Sequence, residues 1–192
     1  MESLITYITS LRPLTGEEKT VITSHFEVGH FTEGDYLFRG GRVCNKLFFI
    51  VSGVVRMVAV NDKGVEVTHF FVGANQFGTI LASFNDETVA EDSIQCCSPV
   101  VALTIQKPQL LALYRKLPFM EDLIEKVHQL RLLEKIRLKN IYSGEDSTGR
   151  YRLFLNEQPE IAGRVPLSHL ASYLNITPQS LSRIRRQLKS SM

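Results

Sequence analysis

The chain has 192 residues, of which 44% are hydrophobic and 22% charged, and its formal net charge is +2 at pH 7. These proportions are ordinary for a globular protein and disfavour a disordered chain. No apolar run is long enough to span a membrane, and the N-terminal residues lack the basic start and apolar core of a signal peptide. We therefore expect a cytoplasmic protein that has no membrane association.

The three cysteines do not form a pattern typical of a disulfide framework or a metal site. Cys44 stands alone, whereas Cys96 and Cys97 are adjacent. Adjacent residues on a strand point to opposite faces, which disfavours a shared ion. The five histidines also lack ligand spacing. We expect reduced, buried thiols, and neither a metal nor an iron–sulfur cluster.

The N-terminal residues carry two helical patterns. The first is an apolar series at helical spacing, formed by Leu4, Ile5, Ile8 and Leu11. The second begins at Thr15, which forms a capping-box pattern with Glu18. We interpret both segments as packing helices.

Between Phe26 and Ile105 the pattern changes to short apolar or alternating runs separated by turns. Asn61–Gly64 predicts a hairpin turn between two of these runs, and further glycines supply corners. The predicted strands lie at 36–38, 47–51, 54–60, 65–72 and 100–105. Short strands at such spacing are typical of a β-barrel or a sandwich.

Helical periodicity returns after Pro108, with a first helix predicted over 109–116 and a long one over 118–141. An apolar stripe follows the long helix and is formed by Met120, Leu123, Val127, Leu130, Leu133, Ile136 and Ile141. We expect this helix to pair with its copy in a homodimer. The interface residues would be Leu123, Val127 and Leu130. The alternative is an intramolecular helix that covers the barrel.

The segment 143–149 is small, polar and contains two glycines, which is typical of a hinge. A supporting helix is predicted around 151–155. The chain is thereby divided into a sensor barrel domain over 1–117, a dimerisation helix over 118–142 and a C-terminal domain over 143–192.

The C-terminal domain contains two predicted short helices joined by a tight turn. The first carries apolar residues at helical spacing, and the second begins after Thr177–Pro178, an N-cap followed by a proline at the first helical position. Polar and basic side chains that can reach bases and phosphates lie outside the apolar stripe of the second helix: Gln179, Ser180, Ser182, Arg183 and Arg186. The pattern is typical of a helix-turn-helix that docks in the major groove of double-stranded DNA.

Charge is concentrated at the same end of the chain. Residues 147–192 contain seven Lys or Arg residues against two acids, a net charge of +5, so the rest of the chain carries −3. A basic segment on a mildly acidic body favours binding to DNA phosphates. The alternative is an ordinary amphipathic helix pair whose arginines are solvated.

The order of barrel, long helix, hinge and helix-turn-helix resembles the Crp/Fnr family of bacterial transcription regulators over nearly the whole chain. Glu33–Gly41 and Leu47–Arg56 are similar to the first two barrel turns of that family. Arg164–Arg186 is similar to the terminal motif of its short, Bacteroidetes-like members. The resemblance implies an α+β fold with an N-terminal β-roll or jelly-roll barrel, a long dimerisation helix and a C-terminal helix-turn-helix domain.

The resemblance also implies residue roles and partners. Gln179, Ser180 and Arg183 would read base edges, whereas Ser182 and Arg186 would lie nearer the DNA backbone. A homodimer would bind a palindromic operator, and RNA polymerase is a further candidate partner.

The candidate effector pocket departs from the nucleotide-sensing members of the family. Those members hold the ribose and cyclic phosphate with a Gly-Glu pair and a downstream arginine, but here Gly78 is followed by Thr79 and the place of the arginine falls near Val89. The candidate pocket residues are Gly78, Thr79, Val89 and Ala90. No arginine occurs in 57–114, and four acids in 86–92 would repel an anion. We expect neither cyclic AMP nor cyclic GMP, and the effector is unknown.

These patterns together predict a dimeric, sequence-specific DNA-binding transcription regulator. The alternative is a cyclic-nucleotide or other small-molecule-binding module that acts through a protein partner. The sequence contains no nucleophile motif, phosphate loop or metal triad, so we do not expect an enzyme.

Overall fold

A computed structural model describes the backbone of residues 1–190 and the side chains of residues 1–188. Helices come first, a region of short strands follows, and helices form the rest of the described chain. The predicted α+β class, with a β-roll, a long helix and C-terminal helices, is confirmed.

Two helices precede the roll, α1 (Glu2–Leu11) and α2 (Gly16–Thr23). The capping box predicted at the start of α2 is present. The hydroxyl of Thr15 accepts a hydrogen bond from the Glu18 amide, and the Glu18 carboxylate accepts one from the Thr15 amide. Two orphan amides of the first turn are thus satisfied by side chains.

The roll consists of antiparallel strands and one short helix. Its elements are β1 (Glu27–Phe31), β2 (Tyr36–Phe38), β3 (Arg42–Val43), β4 (Lys46–Ser52), β5 (Val55–Val60), β6 (Glu66–Val72), β7 (Gln76–Gly78), α3 (Leu81–Asp86), β8 (Val89–Ala90), β9 (Ser93–Cys96) and β10 (Val100–Gln106). The strands pair in the orders β1-β10-β4-β7 and β2-β9-β5-β6, with β3-β8 as a separate pair. Strands distant in the sequence are therefore neighbours in space.

The predicted hairpin turn joins β5 to β6, where Val60 pairs with Glu66. The Asn61 side-chain oxygen accepts hydrogen bonds from the amides of Lys63 and Val65. Gly64 has φ +74°, a left-handed conformation that favours glycine. The turn residues thus adopt the conformation that their types predict.

The remaining helices follow the roll. They are α4 (Lys107–Lys116), α5 (Phe119–Ser143), α6 (Ser147–Glu157), α7 (Pro159–Ala162), α8 (Leu167–Tyr173) and α9 (Pro178–Ser190). The supporting helix predicted around 151–155 is α6, whereas α7 was not predicted. Gln158 leaves the helical conformation, and Pro159 then starts a new turn, because proline is well tolerated at a first helical position.

Two groups of buried side chains hold these elements together. One joins the roll to the N-terminal helices, α4 and the first half of α5, and includes Ile8, Phe49 and Leu113. The other joins the roll to the end of α5 and to α6–α9, and includes Phe71 and Phe154. The C-terminal helices therefore share a hydrophobic core with the roll.

Candidate nucleic-acid interface and effector region

The helices α8 and α9 pack on each other through a small apolar contact. Its buried residues are Leu170, Ala171, Leu174, Leu181 and Ile184. Asn175 has φ +53° and reverses the chain between the helices. Asparagine adopts this left-handed conformation more readily than most residues, so the sequence favours the turn.

The start of α9 is capped by side chains. The hydroxyl of Thr177 accepts a hydrogen bond from the Ser180 amide at 3.1 Å and donates one to the Ser180 hydroxyl at 3.0 Å. Pro178 occupies the first helical position. The Ser180 side chain, expected to read a base edge, is therefore engaged in the cap.

The solvent-facing side of α9 carries most of the predicted DNA-contacting residues. Gln179, Arg183 and Arg186 are exposed and lie four and then three residues apart, which places them on one stripe. Ser180 and Ser182 are half-buried and lie on either side of this stripe. The arrangement presents an amide and two guanidinium groups outward from a helix that is fixed on its other side.

The helix α8 is docked on strand β6 of the roll. The Thr68 amide donates a hydrogen bond to the Ser172 hydroxyl at 3.0 Å. The ring centroid of Tyr173 lies 5.0 Å from that of Phe71 and 5.8 Å from that of Phe154. Polar and aromatic contacts thus join the α8–α9 pair to the sheet.

A thiol and an imidazole lie in the same contact. Cys97 Sγ is 3.5 Å from His169 Nδ1. Burial, together with the positive charge of Arg56, lowers the pKa of His169 to about 4, and burial raises the pKa of Cys97 to about 12. Both groups are neutral at pH 7, so this pair lacks the thiolate that a reactive cysteine requires. Cys44 and Cys96 are also buried and form no disulfide.

Arg56 is buried in the roll beside this contact. Its guanidinium donates hydrogen bonds to Gln95 and to the Thr68 hydroxyl, and it forms an ion pair with Glu66. The charge is compensated inside the protein, as a buried guanidinium requires.

The predicted effector residues are gathered around the segment that joins β3 to β4. Gly78 and Thr79 are buried, and the Thr79 hydroxyl donates a hydrogen bond to the Lys46 carbonyl at 2.8 Å. Val89 is 64% exposed and pairs with Val43 across β3-β8. The hydroxyl that stands where nucleotide sensors carry a carboxylate is therefore already hydrogen-bonded to the backbone.

One arginine approaches this region from a distant part of the sequence. Arg42 pairs with Ala90 across β3-β8 and is exposed. Its guanidinium lies 5.6 Å from the Phe38 ring centroid. Arg42 is far in the sequence from the predicted pocket residues Gly78, Thr79, Val89 and Ala90. Only the pairing of β3 with β8 brings it there, and this pairing has no signal in the sequence.

Four acids lie in the same part of the chain, at 86, 87, 91 and 92. Glu87 accepts a hydrogen bond from Lys107 Nζ at 3.0 Å, and Asp92 lies 3.8 Å from His69. Asp86 and Glu91 are exposed.

The residues predicted for a dimer interface are divided between two environments. Leu123 and Val127 are 9% and 4% exposed and pack into the core beneath the roll, whereas Leu130 is 54% exposed. The exposed apolar surface of α5 is formed by Leu130, Leu132, Leu133 and Ile136. At 100° per residue these four spread over about 160° of the helix surface. Leu132 and Ile136 lie opposite the face that carries Leu123, Val127 and Leu138, whereas Leu130 lies about 20° from Leu123, at the edge of that face. We call the four exposed residues the outer face of α5.

Within the described residues, no group of three or more His, Cys, Asp or Glu side chains is arranged to hold a metal ion. In the same part of the chain, no helix combines the length and apolarity needed to cross a bilayer.

Comparison with known families identifies the roll. Residues 28–116 match the model of the cyclic nucleotide-binding domain family. These residues contain nearly all of the roll together with α4. No curated protein sequence matches the chain significantly.

Solved structures with the same fold cover most of the chain. The c-di-GMP responsive global regulator CLP of Xanthomonas campestris is 18% identical with a TM-score of 0.72, and the match covers 92% of this chain and 93% of that one. The Thermus thermophilus catabolite activator protein is 22% identical with a TM-score of 0.57, covering 94% and 86%.

A third structure is a putative transcriptional regulator of the Crp/Fnr family from Eubacterium rectale. It is 16% identical with a TM-score of 0.72, and the match covers 97% of this chain and 88% of that one. The resemblance to Crp/Fnr regulators is confirmed at the level of the fold, for the roll, the long helix and the C-terminal helices alike.

Proposed function

We propose that this protein, which has the fold of Crp/Fnr regulators, is a transcription regulator that binds double-stranded DNA through α9. The observation that carries the proposal is the exposed stripe of Gln179, Arg183 and Arg186 on a capped helix that is buried on its other side. An arginine can donate two hydrogen bonds to guanine, and a glutamine can pair with adenine.

Within the stripe we assign different roles by position. Arg183 and Gln179, near the start of α9, would contact base edges, as helix-turn-helix recognition helices do with their N-terminal residues. Arg186 and Ser182 would contact the DNA backbone. Ser180 would stabilise the start of the helix through Thr177, in addition to any base contact. The net charge of +5 on 147–192 supports phosphate binding.

The proposal includes a homodimer formed through the outer face of α5. Four large aliphatic side chains are exposed on neighbouring turns of this helix, over about 160° of its surface, and such a patch is typical of an interaction surface. A two-fold axis along α5 would present two copies of α9 to a palindromic operator. In this organisation 1–117 is the sensor domain, 118–142 the dimerisation helix and 143–192 the DNA-binding domain, acting in the cytoplasm with RNA polymerase as a candidate partner.

A footprint tests this function. The purified protein is incubated with the DNA upstream of its own gene and, as a control, with a coding fragment of the same length. We expect a protected palindrome in the upstream fragment only. Protection of neither fragment at any protein concentration would favour the alternative, a small-molecule-binding module that acts through a protein partner.

A further inference from the structure

A cleft of about 560 Å³ lies where the roll, the long helix and the C-terminal helices meet. Strand β6 forms one wall, the end of α5 forms the second, and the turn between α8 and α9 forms the third. Its volume falls within the range of about 300–1,000 Å³ that is usual for small-molecule sites. The cleft contains none of the four predicted effector residues.

Three cationic side chains line this cleft, Lys135, Lys139 and Arg150, and no Asp or Glu side chain lines it. Among the residues whose side chains the structure describes, neither lysine has a carboxylate at ion-pair distance. His69 also lines the cleft, but it lies 3.8 Å from Asp92. The lysines therefore carry positive charge that this part of the protein does not neutralise, and such a surface attracts an anion.

The third cation is held in place by the backbone. Arg150 donates a hydrogen bond to the Leu174 carbonyl at 2.8 Å, and its Nε is buried without a hydrogen-bond partner in the described structure. A buried donor without a partner is costly and is usually explained by water or a ligand. Arg150 therefore holds a fixed positive charge against the cleft, beside the turn between α8 and α9.

Aromatic rings form much of the remaining wall. Phe70, Tyr142 and Tyr173 line the cleft, and Lys135 Nζ lies 5.9 Å from the Phe70 ring centroid. The hydroxyls of Tyr142 and Tyr173 both accept hydrogen bonds from the Gln158 amide, at 3.0 and 3.1 Å. The tyrosines consequently offer a ligand ring surface rather than free hydroxyl groups.

We propose that this cleft binds a small organic anion with an aromatic or apolar body, whose negative group is held by Lys135, Lys139 and Arg150. A DNA phosphate is the other anion available near α9, but a concave site walled by rings fits an apolar body, which a phosphate backbone does not present. A bound anion would contact β6, α5 and the α8–α9 turn at once. It would therefore join the roll to the helix pair that we propose binds DNA.

The test compares an anionic probe with an uncharged one of nearly the same shape, on the full chain and without DNA. Anilinonaphthalene sulfonate is the anion, and N-phenylnaphthylamine is its neutral counterpart. Lys139→Gln removes one cleft charge, and Lys126→Gln removes one exposed charge from the same helix outside the cleft. We expect the sulfonate to bind Lys139→Gln about fivefold more weakly than the wild type, because one partly screened charge contact is lost. The neutral probe, and both probes with Lys126→Gln, should keep the wild-type affinity.

A second measurement locates the probe. Saturating sulfonate should shift the ring NMR signals of Phe70, Tyr142 and Tyr173 in the wild type. An unchanged sulfonate affinity for Lys139→Gln, or unshifted ring signals, would overturn the proposal. If Lys139→Gln left probe binding intact and weakened binding to a random duplex, the cleft cations would be DNA phosphate contacts and the proposal would be wrong. None of these outcomes depends on whether the protein recognises an operator.

Discussion

Two arginines on α9 are expected to contribute to DNA binding in different ways. Arg183→Ala should cost about 1–3 kcal/mol on the operator and much less on random DNA, because a base contact carries sequence information. Arg186→Ala should weaken binding to both DNAs about equally and reduce the salt slope by about one unit, since a phosphate contact releases counterions whatever the sequence. Fluorescence anisotropy across a salt series measures both effects. Equal losses on operator and random DNA for Arg183→Ala would contradict its assignment as a base reader.

His169 should make the stability of the protein depend on pH. Burial and the neighbouring Arg56 lower its pKa to about 4 in the folded protein, below the value of about 6.5 that is usual for an unfolded chain. Between these values the unfolded chain binds more protons, so the contribution of His169 is complete above pH 6.5 and is lost as the pH falls toward 4. The urea midpoints at about pH 7.5 and about pH 5 should therefore differ less for His169→Gln than for the wild type.

A matched histidine provides the control for that comparison. His30 is exposed on β1, away from the α8 contact, and His30→Gln should keep the wild-type difference between the two pH values. If His169→Gln kept the full difference as well, the neutral imidazole beside Cys97 would not be the origin of the pH dependence.

The contact between the C-terminal helices and the roll depends on a cluster of aromatic rings. Phe154 of α6 is fully buried, and its ring centroid lies 6.4 Å from that of Phe71 and 5.8 Å from that of Tyr173. Phe154→Ala should lower the free energy of unfolding by about 3–5 kcal/mol, because it removes buried area and leaves a cavity. Val89→Ala, at an exposed position, should change it by less than about 0.5 kcal/mol. A loss below about 1 kcal/mol for Phe154→Ala in urea unfolding would mean that the ring is not part of the shared core.

The outer face of α5 is the proposed dimer contact. Leu130→Glu would place a charge in a buried interface and should raise the dimer dissociation constant at least about tenfold, observed as monomers in sedimentation. Val60→Glu makes the same kind of change at an exposed aliphatic residue of the β5–β6 hairpin and should leave the dimer intact. An unchanged sedimentation profile for Leu130→Glu would exclude this face as the interface.

The sequence predicted the long helices well and the short strands poorly. The stripes of α1 and α5 and the caps of α2 and α9 are local signals, and these elements are present. The two-residue strands β3 and β8 span a single period of the alternation and carry no usable pattern, whereas β2 was predicted at 36–38. Pairing with distant strands determines β3 and β8 instead.

The stripe on α5 identified the helix but not the partner of each residue. A heptad spacing drifts by only about 20° on a straight helix, so Leu130 lies on nearly the same side of α5 as Leu123. Leu123 and Val127 are buried in the core beneath the roll, whereas Leu130, one heptad further along, lies outside that core and is exposed. Periodicity alone cannot distinguish an intramolecular contact from an intermolecular one.

At the scale of the whole molecule, the sequence predicted the exposed residues of α9 because one helix carries them all. It could not predict sites assembled from separate elements. Arg42 reaches Ala90 through strand pairing, and the anion cleft combines Lys135 and Lys139 of α5 with Arg150 of α6 and rings from three elements. Such combinations depend on the docking of α8 on β6, which leaves no signal in either segment alone.

The proposed function requires that the two copies of α9 in a dimer bind one operator. A selection experiment tests this requirement directly. The purified protein and Arg183→Ala are each used to select duplexes from a random library, and the enriched sequences are determined. We predict that the wild type enriches a palindrome whose half-sites are about 10–10.5 base pairs apart, or a multiple of that spacing, and that Arg183→Ala loses the preference at one base pair of each half-site. Enrichment of no sequence by the wild type, in a protein that is folded and dimeric, would contradict the account.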